Sequence, residues 1–156
     1  MNDYMKIANE RARINNITNA GGPFGAVVVK DGKIIGQGSN LVLSSHDPTG
    51  HADVTAIRDA ANTLHTHDLS GCELYTSCYP CPMCLSAIIW ANIKTVYYGN
   101  TKEDAAAIGF RDDFIYQFIN KLPEGDNDVL SLIPMDREET IKTFIEYSNK
   151  EDKEIY

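Results

Sequence analysis

The stretch CELYTSCYPCPMCLSAIIWANIKTVYYG, residues 72–99, decides the fold. Its ends, CELYTS (72–77) and KTVYYG (94–99), are rich in β-branched and aromatic residues and read as strands. The segment PMCLSAIIWAN between them is long enough to be a crossover helix, so the two strands run parallel as a βαβ unit. Upstream, AVVVKDGKIIGQGSNLV (26–42) reads as two strands joined at Asp31-Gly32, a pair that tolerates the positive φ of a hairpin turn. YMKIANERARINNI (4–17) places Ile7, Ala8, Ile14 and Ile17 at helical spacing, and GGPFG (21–25) breaks that helix. In HADVTAIRDAANTL (51–64), Val54, Ile57, Ala60, Ala61 and Leu64 recur with helical period, which puts His51 and Asp53 in the first turn after DPTG (47–50). Beyond residue 100, DDFIYQFINKL reads as a helix, LPEGDND as a loop and VLSLIPM as a strand. DREETIKTFIEYSNK reads as a helix with Asp136 as N-cap and Glu139 three residues on. The expectation is a single three-layer α/β domain over residues 1–156.

Composition narrows the function. A chain of 156 residues can bury roughly two-thirds of its unfolded surface around one core. Fourteen Lys and Arg against 22 Asp and Glu give a formal net charge of −8, the wrong sign for gripping nucleic acid through its phosphates, and favour a small substrate. No run approaches the ~20 apolar residues that span a bilayer, and the N-terminal sequence has no secretory pattern. A soluble, cytoplasmic protein without membrane or nucleic-acid partners is expected. Three of the four cysteines fall in CYPCPMC (78–84), a pattern that suits a metal site in a reducing compartment better than a disulfide framework.

Cys81 and Cys84 stand three apart at the start of a helix, where the positive end of the helix dipole favours thiolates. If the helix that begins at His51 meets them beside the strand ends, one imidazole and two thiolates can surround Zn²⁺ and leave a fourth position for water. Bound zinc brings the pKa of its water to about 7, but hydrolysis of an amine also needs a group that carries protons, and Asp53 is the candidate. A closed structural site completed by Cys78 is the main alternative; Pro80 and Pro82 argue against it, since they prevent Cys78 from lying one helical turn behind Cys81. His46, His65 and His67 read as solvated side chains, and Phe24 as either a core or a site residue.

The spacing resembles the H-x-E…P-C-x-x-C signature of zinc deaminases. The chain is similar to the cytidine deaminase superfamily, and within it to the bacterial guanine deaminases, through GGPFGAVVVKDG, SN (39–40), DPTGHADVTAIR, LYTSC, PCPMCLSAIIWA, DAAAIGF and DDFIY in that order. The resemblance implies an α/β/α fold with a central mixed sheet, Zn²⁺ held by His51, Cys81 and Cys84, and Asp53 as proton shuttle. It further implies that Asn40 hydrogen-bonds the substrate ring, Phe24 stacks on it, the Ala52 N–H contacts its carbonyl, and Asp112 rather than Asp113 reads the guanine edge. A homodimer is implied whose C-terminal segment crosses between subunits, bringing Tyr156 over the site as a lid. The implied reaction is conversion of guanine to xanthine and ammonia.

Two positions depart from the pattern: Asp53 stands where the family carries glutamate, and Tyr79 where many purine-ring deaminases carry glutamate before Pro-Cys. Aspartate is about 1.5 Å shorter, and a misplacement of about 1 Å costs on the order of 100-fold in rate. The departures keep open a deaminase of another amino-heterocycle or nucleoside, such as cytosine, guanosine or adenine, and a zinc-binding homologue without turnover.

Overall fold

Asp31 and Gly32 adopt φ of 50° and 75°, and this two-residue turn folds β1 (Gly25–Lys30) antiparallel onto β2 (Lys33–Ser39). The other edge of β1 pairs antiparallel with β3 (Glu73–Cys78), which pairs in parallel with β4 (Thr95–Asn100) across the crossover helix α4 (Pro82–Trp90). The result is a mixed four-stranded sheet in the order β2-β1-β3-β4. The computed structural model describes residues 1–122 and 129–156, which form two compact units, 1–117 and 118–156.

The layers follow from the alternation of β1, whose run of buried residues is characteristic of a strand covered on both faces. Val27 and Val29 point to one side, where they meet Tyr75 and the Tyr4 and Ile7 side chains of α1 (Asp3–Thr18). Ala26 and Val28 point to the other, into the larger core with Ala52, Ala56 and Ala60 of α3 (Ala52–Leu64), Leu74, and Ile88 of α4. Helices therefore cover both faces of the first unit's sheet, as the three-layer reading expects.

The approach of α3 is unusually close. Ala52, Ala56 and Ala60 form a stripe of small residues at i, i+4 spacing, and Gly36 and Gly38 of β2 lie opposite them. A Cβ added at Gly36 would sit 2.5 Å from the Ala56 carbonyl oxygen, and one at Gly38 would sit 2.6 Å from the Ala56 nitrogen. The two backbones touch with no side chain between them, so the position of the first turn of α3 is fixed by the sheet.

Several expectations change. His51 is the N-cap of α3, with extended dihedrals of −70° and 154°, and not a member of its first turn. Residues 129–135 form no strand: none of the sheet's strands comes from this segment, and Val129, Leu130, Leu132 and Ile133 are at least half exposed. Of the loop read at 122–128, all but Leu122 lies outside the described residues. Asp136 precedes α7 (Arg137–Ser148), but its left-handed backbone (φ 51°) leaves its side chain without a cap bond, and the Glu139 carboxylate accepts from Lys142 Nζ at 2.7 Å instead. Two short helices follow loops that periodicity does not mark: α2 (Val42–Ser45), and α5 (Lys102–Ala107), which opens on a Thr101–Asp104 capping box. The helix read from Asp112 onward is α6 (Asp112–Lys121).

Replacing Gly36 by alanine is expected to push α3 off the sheet and cost about 1–3 kcal/mol, as overpacking does. Urea denaturation checks this, and an unchanged midpoint would refute the backbone-to-backbone contact.

Candidate active site

Two helix N-termini build the metal cluster. Asp47 makes an Asx turn, its carboxylate accepting from the Thr49 N–H at 2.8 Å, and this turn delivers His51 to the N-cap of α3. Cys81 caps α4, where Pro82 is preset for the first helical position, and its Sγ accepts from the Cys84 N–H at 3.4 Å. The i, i+3 spacing then lays Cys84 beside Cys81. His51 Nδ1 lies 3.5 Å from the sulfur of Cys81 and 3.5 Å from that of Cys84. All three ligand atoms fall within 4.8 Å of one another. Bond lengths of about 2.3 Å to sulfur and about 2.0 Å to nitrogen in a tetrahedron give ligand separations of about 3.5 Å, so the donor set fits Zn²⁺.

The charges agree with that fit. The hydrogen bond from Cys84 and the neighbouring His51 hold the Cys81 thiol well below its usual range. The bond to Cys81, burial and nearby Asp53 push the Cys84 thiol up. Hydrogen bonding to Cys81 in turn raises His51. The bond to Cys81, burial and the neighbouring negative groups hold the Cys84 proton in place, and the charge that a metal dication brings is what would release it. Cys78 takes no part: its Sγ donates to the Thr101 carbonyl at 3.6 Å, burial pushes its thiol up to about 11, and it is absent from the ligand group found among the described residues.

Asp53 lies in the first turn of α3 and is 5 % exposed. Its Oδ1 is buried with no hydrogen-bond partner among the described residues, and burial pushes its carboxyl up to about 6. An unpaired buried carboxylate oxygen is costly and points to a ligand that completes it. It borders a cavity of about 420 Å³ that is also lined by His51, Cys81 and Cys84, the group that could hold a metal.

The cavity gathers most of the residues read from the sequence. Asn40 lines it, buried at 4 %; its Oδ1 accepts from the Val42 N–H at 3.0 Å and its backbone carbonyl accepts from Asn15 Nδ2 at 2.7 Å. Phe24 also lines it and packs against the larger core, and Phe110 meets it edge-on at 4.8 Å. Ala52 contributes its wall beside His51. Of the two acids, Asp112 faces the cavity, half-buried with its carboxyl raised by burial, whereas Asp113 is drawn to Lys102 at 3.6 Å and accepts from Gln117 at 2.8 Å. Tyr79 lines the cavity with its ring edge-on to Tyr98 at 5.0 Å. Tyr156 belongs to the second unit and is 75 % exposed, while His46, His65 and His67 do not line the cavity. The sequence reading missed Leu43 and Pro48 at the rim, Thr76 on β3, and Phe110 and Arg111. Leu43 sits on the four-residue helix α2, too short to leave a periodic signal.

Comparison with known proteins agrees with this geometry. Guanine deaminase of Bacillus subtilis is 59% identical over 104 residues, which span 67% of this chain and 67% of that protein. The X-ray structure of the B. subtilis guanine deaminase superposes with a TM-score of 0.92 at 44% identity, covering 100% of this chain and 99% of that one. The structure of guanine deaminase from Nitrosomonas europaea gives 0.65 at 37% identity, over 69% of this chain and 62% of that one. A tRNA-specific adenosine deaminase of Aquifex aeolicus is 43% identical over 76 residues, or 49% of this chain and 50% of that protein. The family model for the cytidine and deoxycytidylate deaminase zinc-binding region matches residues 1–100, a span that holds both helix N-termini and all three metal-binding side chains. The chain belongs to that zinc-binding deaminase family.

Proposed function

We propose that the protein is a zinc-dependent aminohydrolase that converts guanine to xanthine and ammonia. The observation that carries this reading is Asp53, a buried acid whose Oδ1 has no hydrogen-bond partner among the described residues and which lines the same cavity as the His51, Cys81 and Cys84 cluster. The near full-length likeness to the B. subtilis guanine deaminase supports guanine as the substrate.

In this reading His51, Cys81 and Cys84 hold the zinc. Zinc in such a site lowers the pKa of a bound water to about 7 and so makes a nucleophile available at neutral pH. Asp53 moves the protons: its carboxyl takes one from water and passes it to the ring nitrogen next to the carbon that bears the amine, then takes the remaining proton of the hydroxyl added to that carbon and gives it to the departing amine, which leaves as ammonia while the new carbonyl forms. A carboxyl lifted to about 6 by burial can both accept and release a proton near neutrality. The Ala52 N–H, at the positive end of α3, contacts the carbonyl of the base where negative charge gathers. Asn40 hydrogen-bonds the ring, Phe24 stacks on it, and Asp112 accepts from the guanine edge. The 156 residues act as one deaminase domain in a cytoplasmic homodimer, in which the C-terminal segment of one copy brings Tyr156 over the site of the other.

A second reading keeps the chemistry and changes the base to cytosine, adenine or a nucleoside. Tyr79 in the cavity wall and the short Asp53 carboxylate favour it. A net charge of −8 counts against a tRNA substrate.

Purified zinc-loaded protein is expected to release ammonia from guanine faster than from cytosine, adenine or their nucleosides, and Asp53→Ala to lose about 10²–10⁴-fold in kcat. No ammonia from guanine, with another base turned over, would transfer the assignment to the second reading. A chain inert on the whole panel would mark a zinc-binding homologue without turnover. Cys84→Ser is expected to leave the chain folded by circular dichroism but to strip its zinc, read by elemental analysis; full zinc occupancy in that variant would remove Cys84 from the ligand set.

A further inference from the structure

One well-formed contact on α6 has no part in the reaction as described. Tyr116 follows Asp112 by one helical turn, and its hydroxyl donates to the carbonyl oxygen of Pro80 at 2.7 Å. Pro80 is buried and stands immediately before Cys81. One hydrogen bond therefore ties the helix that carries Asp112 to the loop that carries a metal-binding thiol.

The geometry around this bond makes it directional. The Tyr116 ring is bracketed by Tyr79 at 6.2 Å and by Lys102 Nζ at 5.5 Å from its centroid. Burial pushes its phenol up to about 12, so the hydroxyl remains a donor through neutral pH. The neighbouring tie, Lys102 to Asp113, joins two side chains that are each 38% exposed, and solvent weakens it. Phe110 against Phe24 fixes the chain just before α6 but is apolar and sets no single orientation. Of these contacts, the Tyr116–Pro80 bond alone combines partial burial with a defined direction. A lateral shift of α6 would carry Asp112 out of the cavity wall, where Asp113 already points elsewhere.

We propose that Tyr116 is a positioning residue for substrate recognition: its hydrogen bond to the Pro80 carbonyl holds α6 against the metal-bearing loop, so that Asp112 stands at the edge of the cavity where the base is read. This rests on the assignment of Asp112 to the base edge made above. Tyr116 acts through Asp112 and touches neither the base nor the metal.

The test is a double-mutant cycle on the zinc-loaded full chain, with kcat, KM for guanine, zinc content and melting temperature measured for wild type, Tyr116→Phe, Asp112→Asn and the double variant. Tyr116→Phe keeps the ring and removes the bond; it is expected to retain zinc and to raise KM roughly 5- to 10-fold, with a smaller change in kcat. In the Asp112→Asn background the same substitution should move KM by less than about twofold, because the group it positions is gone. Unchanged KM in Tyr116→Phe overturns the proposal, as does an equal rise in KM with and without Asp112. A joint fall of zinc content and kcat overturns it too, since it would place the effect on the metal loop. If Asp112→Asn alone leaves KM at the wild-type value, the reading of Asp112 fails and the role of Tyr116 falls with it. A KM that rises in Asp112→Asn but not in Tyr116→Phe overturns the role of Tyr116 alone.

Discussion

The first unit depends on the contact between the alanine stripe of α3 and the bare backbone of β2. Helices normally rest on a sheet through interlocking side chains and retain some freedom to shift with them. Here Gly36 and Gly38 face Ala52, Ala56 and Ala60, so backbone meets backbone and the helix has one available depth. His51, which caps α3, and Asp53, in its first turn, inherit that precision. His51 and Asp53 reach the cavity because the end of the helix that bears them is held against the sheet.

The same economy governs the charges. Two helix starts supply the cluster: His51 caps α3 and Cys81 caps α4, so an imidazole and two thiols gather there, with Asp53 in the first turn of α3. His51 and Asp53 are both pushed toward their protonated forms, His51 chiefly by its hydrogen bond to Cys81 and Asp53 chiefly by burial. Burial is the largest cause of that rise in the Asp53 carboxyl.

Most of the frame was legible because it is written in local chemistry. Asp31-Gly32 declares its turn through positive φ, and the strand–helix–strand spacing of 72–99 leaves a parallel pair as the natural connection. CYPCPMC announces its metal cluster because both thiols must share one helix start. The three layers follow once β1 is read as buried on both faces. What escaped depends on partners far along the chain. The apolar run 129–135 has the composition of a strand, but a strand exists only beside another, and no strand of the sheet pairs with it. Asp136 and Glu139 have the right spacing for a capping box, yet a left-handed Asp136 cannot present its carboxylate. Leu43, Thr76 and Arg111 line the cavity by virtue of tertiary position, for which one sequence carries no periodic mark. Local sequence does not separate Asp112 from Asp113; the family resemblance favours Asp112, and in the fold Asp112 lines the cavity while Asp113 pairs with Lys102.

The pairing of β1 with β3 also sets an order of events. Ala26 is hydrogen-bonded alongside Thr76, so this ladder closes a long loop that contains all of α3, and long closures come late and cost chain entropy. The β1–β2 hairpin needs no such closure and can form by itself in microseconds. His51 leads the helix inside the loop, while Cys81 and Cys84 lie just past its end. Until β3 takes its place beside β1, the imidazole and the thiols are separate groups on a flexible chain. The complete three-ligand site is thus a product of finished folding, and before then an ion can meet the two thiols of the local CPMC run but not the imidazole as well.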